Sequence, residues 1–323
     1  MGQRIGVLMG GWGEEKEISL RTGEGVAQAL ESKGHSVTRI LAGPGLDQSV
    51  RAAQIDVAFL ALHGRMGEDG KVQGLLEVLG IPYTGAGVLA SALAMNKPFA
   101  KKLFRLHNLE TPSGYVVRRD QARSVHELHL DLGFPCVVKP AHGGSSVGLS
   151  LVDGPEGLVP AVELACRFGG EALVERRIVG REVTVGILGG EVLGACEVAI
   201  PDALFDYRAK YERAAKYHLP PRLSPTRLAN VEAMALAAFH ALGCRGYARV
   251  DFICSDTKND VVLEVNTLPG LTSASLLPKI ARAAGVEYPE LCEQILSQAA
   301  LDDVLVADAA EPAVASGRRR RAG

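Results

Sequence analysis

The stretch GYARVDFICSDTKNDVVLEVN, Gly246 to Asn266, reads as two apolar strands joined by the polar turn Ser255–Asp260. Its second strand breaks its own rule, because Glu264 and Asn266 interrupt Val261, Val262, Leu263 and Val265. Side chains two residues apart leave the same face of a strand. If the hairpin folds symmetrically about its turn, Asp251 faces Glu264 and Arg249 faces Asn266. Val250, Phe252, Leu263 and Val265 then occupy the opposite side. Facing carboxylates about 5 Å apart at Cβ repel each other unless a cation joins them. Two acids and an amide oxygen on one face suit a hard cation of the Mg²⁺ type. The plainer alternative is the wet side of an ordinary hairpin. Apolar neighbours and Arg249 fit that poorly.

Outward from this hairpin the chain alternates strands and helices. Arg4–Met9, Ser36–Ile40, Val57–Leu62 and Ile81–Tyr83 read as strands, with helices over Ile18–Lys33 and Lys71–Leu79. That alternation predicts a doubly wound parallel sheet up to about residue 95. Helices follow over Met95–Leu106, Gln121–Asp131 and Pro155–Phe168, with strands at Pro135–Lys139 and Ala172–Glu175. Glu182–Leu188 and Glu191–Ala199 form a hairpin about Gly189-Gly190, and a helix over Thr226–Leu242 leads into the opening stretch. Residues 200–225, rich in proline and charge without a period, have the length of a lid or binding loop. The expected division is 1–95, 96–182 and 183–308, with a disordered tail at 309–323 that contains Arg318–Arg321.

Composition narrows the function. Of 323 residues, 47% are hydrophobic and 22% charged, which suits a globular protein, and a net charge of −2 gives no basic surface for nucleic acid. No apolar run approaches the ~18 residues of a membrane span. The six cysteines are scattered, with no C-x-x-C pair, as expected of reduced core thiols in a cytoplasmic protein.

A hard-cation face directs attention to phosphates. The P-loop pattern is absent, and Gly85–Ala90 matches a dinucleotide fingerprint only as a strand-to-helix turn would. FPCVVKPAHGGSSVG, Phe134 to Gly148, ends a buried strand on Lys139 and continues into a glycine–serine loop. Such a loop lays N–H groups and hydroxyls over phosphates, although a surface hairpin loop would look the same. Lys97 in MNKPFAKK is either a second phosphate contact or a solvated helix-start lysine. Glu175 and Glu182, flanking RRIVGR, either hydrogen-bond a base and a ribose or line a strand edge.

Seven segments, in order, carry a family likeness: GGWGEEKEISL (10–20), ALHGRMGEDGKVQGLLEVLGIPYTGAG (61–87), ALAMNK (92–97), VVKPAHGGSSVG (137–148), DYRAKY (206–211), GYARVDF (246–252) and LEVNTLPGLTSASLLP (263–278). The sequence resembles D-alanine–D-alanine ligases of the ATP-grasp superfamily over nearly all of 4–300. The resemblance implies an α/β N-terminal domain and two further domains that grip ATP between two sheets. It implies that Asp251, Glu264 and Asn266 hold two Mg²⁺ (or Mn²⁺) and that Lys97 and Lys139 contact phosphates. Glu175, Arg176, Ile178 and Glu182 would take the adenosine. Glu15 would bind the first D-alanine's ammonium, with Ser145, Tyr211 and His63 ordering that pocket. Arg249 and the Gly270 N–H would cradle the oxyanion, and Lys210, Ser275 and Leu276 would meet the second substrate. The second substrate would be D-alanine rather than D-lactate, on account of Tyr211, and the enzyme a cytoplasmic homodimer.

One departure stands out: Gly13, after Trp12, where the family usually has a serine two residues before the glutamate. Two rivals follow. Another ATP-grasp ligase, of amines or hydroxy acids, would share the metal face but lack the Glu15–Ser145–Tyr211 combination. A non-catalytic nucleotide-binding module would have no need of all three metal-face residues and both lysines.

Overall fold

The computed structural model describes residues 3–13, 15–129, 131–144, 147–199 and 216–302. Three sheets form in chain order. The first is parallel, in order β2-β1-β3, with β1 (Arg4–Gly10) between β2 (Ser36–Ala42) and β3 (Val57–Leu60). Its core joins Ile5, Val7, Leu8 and Phe59 to Val26 and Leu30 of α1 (Lys16–Ser32). The helices α2 (Leu46–Ala53) and α3 (Lys71–Leu79) complete this layer. The expected strand Ile81–Tyr83 is only a bridge at Tyr83, to Ala58 and Ala300. Pro82 explains this, because it offers a carbonyl to Ala58 but has no N–H with which to extend a ladder.

The second sheet has order β4-β7-β5-β6 and is antiparallel: β4 (Gly114–Arg118), β5 (Cys136–Pro140), β6 (Ser150–Val152) and β7 (Glu171–Arg176). Val117, Val138 and Val174 pack one face against α7 (Leu158–Cys166). The expected helix over Gln121–Asp131 is instead a 3₁₀ turn, Arg119–Ser124, followed by a single turn, α6 (Val125–Leu128). Its buried residues, Ala122 and Val125, are three apart, the 3₁₀ repeat rather than the α repeat.

The third sheet, β10-β9-β8-β11-β12, is also antiparallel: β8 (Arg181–Leu188), β9 (Glu191–Ala199), β10 (Lys216–His218), β11 (Tyr247–Cys254) and β12 (Val261–Asn266). Gly189 and Gly190 take positive φ (66° and 79°), as the tight β8–β9 turn requires. α8 (Pro225–Ala241) covers one face with Val231, Ala235 and Phe239. Near the opposite face, α9 (Leu276–Ala283) comes so close to Gly186 that a Cβ there would lie 2.8 Å from Leu277. α10 (Tyr288–Leu296) returns to pack on α1. In the chain, α4 (Val88–Met95) and α5 (Lys97–Leu106) link the first sheet to the second, and both pack on the third. α5 is capped by Asn96, whose side chain accepts from the Phe99 N–H at 3.1 Å.

Candidate active site

β11 and β12 pair as their alternation predicts at the functional end, with Arg249 opposite Asn266 and Asp251 opposite Glu264. Beyond Asp251 the register shifts, so Phe252 faces Val262 and Leu263 is the extra residue. This corrects the expected placement of Leu263. It leaves the core that holds Val250, Phe252, Val262 and Val265, and lines the cleft instead.

The side chains of Asp251, Glu264 and Asn266 share one sheet face, and hydrogen bonds and ion pairs hold them there. Arg249 grips Asp251 bidentately, with Nε donating to Oδ1 at 2.8 Å and Nη2 to Oδ2 at 2.7 Å. The Thr184 hydroxyl donates to Oδ1 at 2.6 Å and the Asn266 amide to Oδ2 at 3.0 Å. Glu264, expected to meet a divalent cation, receives the Lys97 ammonium at 2.9 Å. Two carboxylates are thus balanced by two cations. Lys97 also donates to the Gly143 carbonyl at 2.6 Å, tying the glycine–serine loop to β12, so it is not a solvated helix-start lysine. Among the described residues no group of three or more His, Cys, Asp or Glu gathers as a metal site. The set here is two carboxylates and an amide, all hard oxygen donors on one face, and it fits a divalent cation once Lys97 and Arg249 give way.

Across the cleft, β7 presents Glu175, only 2% exposed. Its carboxylate lies between Lys139 of β5, at 2.7 Å, and Lys101 of α5. Burial pushes Glu175 toward the neutral form, but the two lysines outweigh it and hold the carboxyl below its usual range. Lys139, expected to point at phosphates, is pinned to Glu175 in this state, and its own ammonium is held above the ordinary lysine value. A cavity of about 350 Å³ opens beside them. Lys139, Glu175, Arg176, Ile178 and Glu182 line it with Leu263 and Ile253.

The end of the cleft at the first sheet holds His63, Glu68 and Glu15. His63 is buried; its Nδ1 donates to the Leu268 carbonyl at 3.2 Å, and its Nε2 accepts from the Thr22 hydroxyl at 3.1 Å. A carbonyl can only accept, which fixes the tautomer. Burial pushes the imidazole down to about 4, so it is neutral at physiological pH. Glu15 occupies the N-cap position just before α1 and lies over Gly64, whose N–H donates to Glu68 at 2.6 Å. Burial, with Glu15 alongside, pushes the Glu68 carboxyl up to about 8. Gly13 has φ +100°, a backbone that serine resists, and Trp12 packs against the first core, so the loop is braced by other means than a serine.

Gly270 stands beside Ser275: a Cβ on that glycine would lie 3.0 Å from the serine hydroxyl. Ser275 does occupy the N-cap position of α9, next to Leu276, but its hydroxyl shares a hydrogen bond with Thr272 at 2.8 Å rather than capping the helix. Ser145, Lys210 and Tyr211 lie outside the described residues. Lys101, Glu68 and Thr184 escaped the sequence reading. Lys101 alone had a usable signal, one helical turn after Lys97.

Two antiparallel sheets, closing on a cleft of lysines and acids beside a parallel α/β layer, define the ATP-grasp class. A family model described as D-ala D-ala ligase C-terminus matches residues 111–297, and one described as D-ala D-ala ligase N-terminus matches 42–86. The D-alanine–D-alanine ligase of Geobacter sulfurreducens is 48% identical over 92% of this chain and 94% of its own. That of Anaeromyxobacter dehalogenans is 47% identical over 93% and 98%. The crystal structure of the Bacillus anthracis D-alanine–D-alanine ligase complexed with ATP superposes with TM-score 0.82 at 38% identity, covering 92% of this chain and 97% of that one. The chain belongs to the D-alanine–D-alanine ligase family.

Proposed function

We propose that this enzyme joins two D-alanines into D-alanyl-D-alanine at the expense of ATP, supplying peptidoglycan synthesis, as a cytoplasmic homodimer. A carboxylate resists amines because it has no leaving group. Phosphorylation of the first D-alanine gives D-alanyl phosphate, which the second amine attacks, releasing phosphate. Two Mg²⁺ or Mn²⁺ ions, held by Asp251, Glu264 and Asn266, would neutralise charge on the transferring phosphoryl group.

The chain's own groups do the rest. Lys97 and Lys139, released from Glu264 and Glu175, bind phosphate oxygens. Glu175 and the backbone near Arg176 and Ile178 take the base, and Glu182 the ribose. Glu15 receives the first ammonium, while neutral His63 ties the Leu268–Gly270 turn to α1. Arg249 and the Gly270 N–H stabilise the oxyanion; one such donor is worth roughly 3–4 kcal/mol. Ser275 and the start of α9 at Leu276 receive the second carboxylate, with Lys210. Tyr211 and Ser145 position the attacking amine.

One observation carries this reading: Arg249, Asp251, Glu264 and Asn266 share a single sheet face, with Lys97 reaching them from the glycine-loop side. A coupled assay tests it. ADP release and dipeptide formation must depend on D-alanine and not on L-alanine; ADP release indifferent to the amino acid would refute it. Light scattering must give twice the chain mass. Tyr211→Phe should gain ester product with D-lactate, and no gain removes that residue from second-substrate choice.

A further inference from the structure

We infer that Lys101 is a positioning residue for nucleobase choice, keeping Glu175 an ionised acceptor so that the cleft takes a 6-amino purine over a 6-oxo purine. This rests on the reading that Glu175 meets the base.

The walls beside Glu175 are largely apolar: Val137, Leu151, Ile178, Val179, Ile253 and Leu263. A carboxyl in such surroundings drifts toward its neutral form. Once protonated it can donate as well as accept, and a 6-oxo group becomes as acceptable as a 6-amino group. Two ammoniums oppose this, and they are not equivalent. Lys139 lines the cavity, where an incoming phosphate can draw on it. Lys101 does not line it; its side chain is 3% exposed, and its ion-pair partner is Glu175. A nucleotide that engaged Lys139 would therefore leave Lys101 as the remaining counter-charge on Glu175. The geometry of α5 explains how Lys101 gets there. Lys97 and Lys101 stand one turn apart on one face of the helix, the first on Glu264 and the second on Glu175. Burial pushes the Lys101 ammonium down to about 8 despite its pairing, so the helix carries this charge at a cost.

Inosine triphosphate isolates the effect, since it differs from ATP in carrying a 6-oxo group with N1 protonated. In Lys101→Met the ATP-over-inosine-triphosphate ratio of kcat/KM should fall about tenfold or more, with KM for ATP raised and kcat nearly kept. Lys101→Arg should retain the ratio. The ratio is internal to each preparation, so a partly folded fraction cancels. Glu175→Gln separates the two layers of the argument. If it lowers the ratio while Lys101→Met does not, the role of Lys101 is wrong and the base contact stands. If neither variant changes the ratio, the base contact itself fails. Should Lys101→Met not fold, Lys101→Met/Glu175→Gln removes both buried charges together. Its ratio must equal that of Glu175→Gln alone, and any further drop overturns the inference.

Discussion

Arg249 faces two demands, because the guanidinium proposed for the oxyanion also balances Asp251. Arg249→Ala should therefore lower kcat/KM by about 10²–10³. It should also destabilise the fold by about 3 kcal/mol, since Asp251 stays buried without its counter-charge. Steady-state kinetics and chemical denaturation read the two losses separately, and a kinetic loss with unchanged stability would contradict the pairing. Glu68 makes a prediction of opposite character. Its carboxyl keeps its proton up to about pH 8 in the fold, whereas the unfolded chain releases it near 4.5. Its contribution to stability is thus intact below pH 4.5 and is lost as pH rises toward 8. Glu68→Gln removes that loss, so the variant's melting temperature should gain on the parent's between pH 5 and 8.5. Equal pH slopes would refute it. Glu68 could not be picked out from spacing, and Lys101 only by its place one helical turn after Lys97. What sets them apart is burial against another charge, a relation between elements far apart in the chain.

At the level of elements, the β12 bulge puts Leu263 and Glu264 on the same side, one against the cavity proposed for the base and one on the face proposed for the cations. Leu263→Ala should raise KM for ATP severalfold while leaving kcat near its parent value, as loss of an apolar wall requires. A fall in kcat at constant KM would place Leu263 elsewhere. The pairing of Asp251 with Glu264 was legible because two-residue alternation survives up to the bulge. The bulge was not, since one inserted residue in an apolar run leaves no compositional mark. Short or edge strands were illegible for a related reason: β6 and β10 have three residues each, fewer than a period-2 pattern needs to declare itself. α2 and α10, of eight and nine residues, span little more than two turns each, too short for a helical period to stand out in the sequence.

Across the whole molecule, charge balance governs how the fold behaves when the proposed cation face is empty. Lys97 and Arg249 already neutralise Glu264 and Asp251, so stripping divalent ions with a chelator should abolish turnover and leave the melting temperature unchanged. Mg²⁺ or Mn²⁺ should restore the activity; unfolding on chelation would show that the ions hold the structure together. The mutual placement of the three sheets followed in the sequence only from the ordered motifs, because periodicity describes each strand and says nothing of which sheets face one another. Where the sheets meet, α5 has a consequence of its own. Its two ammoniums, about 6 Å apart along the axis, are fastened to opposite jaws. Prising one jaw away drags on the same rod that is anchored in the other. The ends of the cleft proposed for the triphosphate and the purine therefore yield together, as a hinge with a single pin, and a tug at either is felt at both.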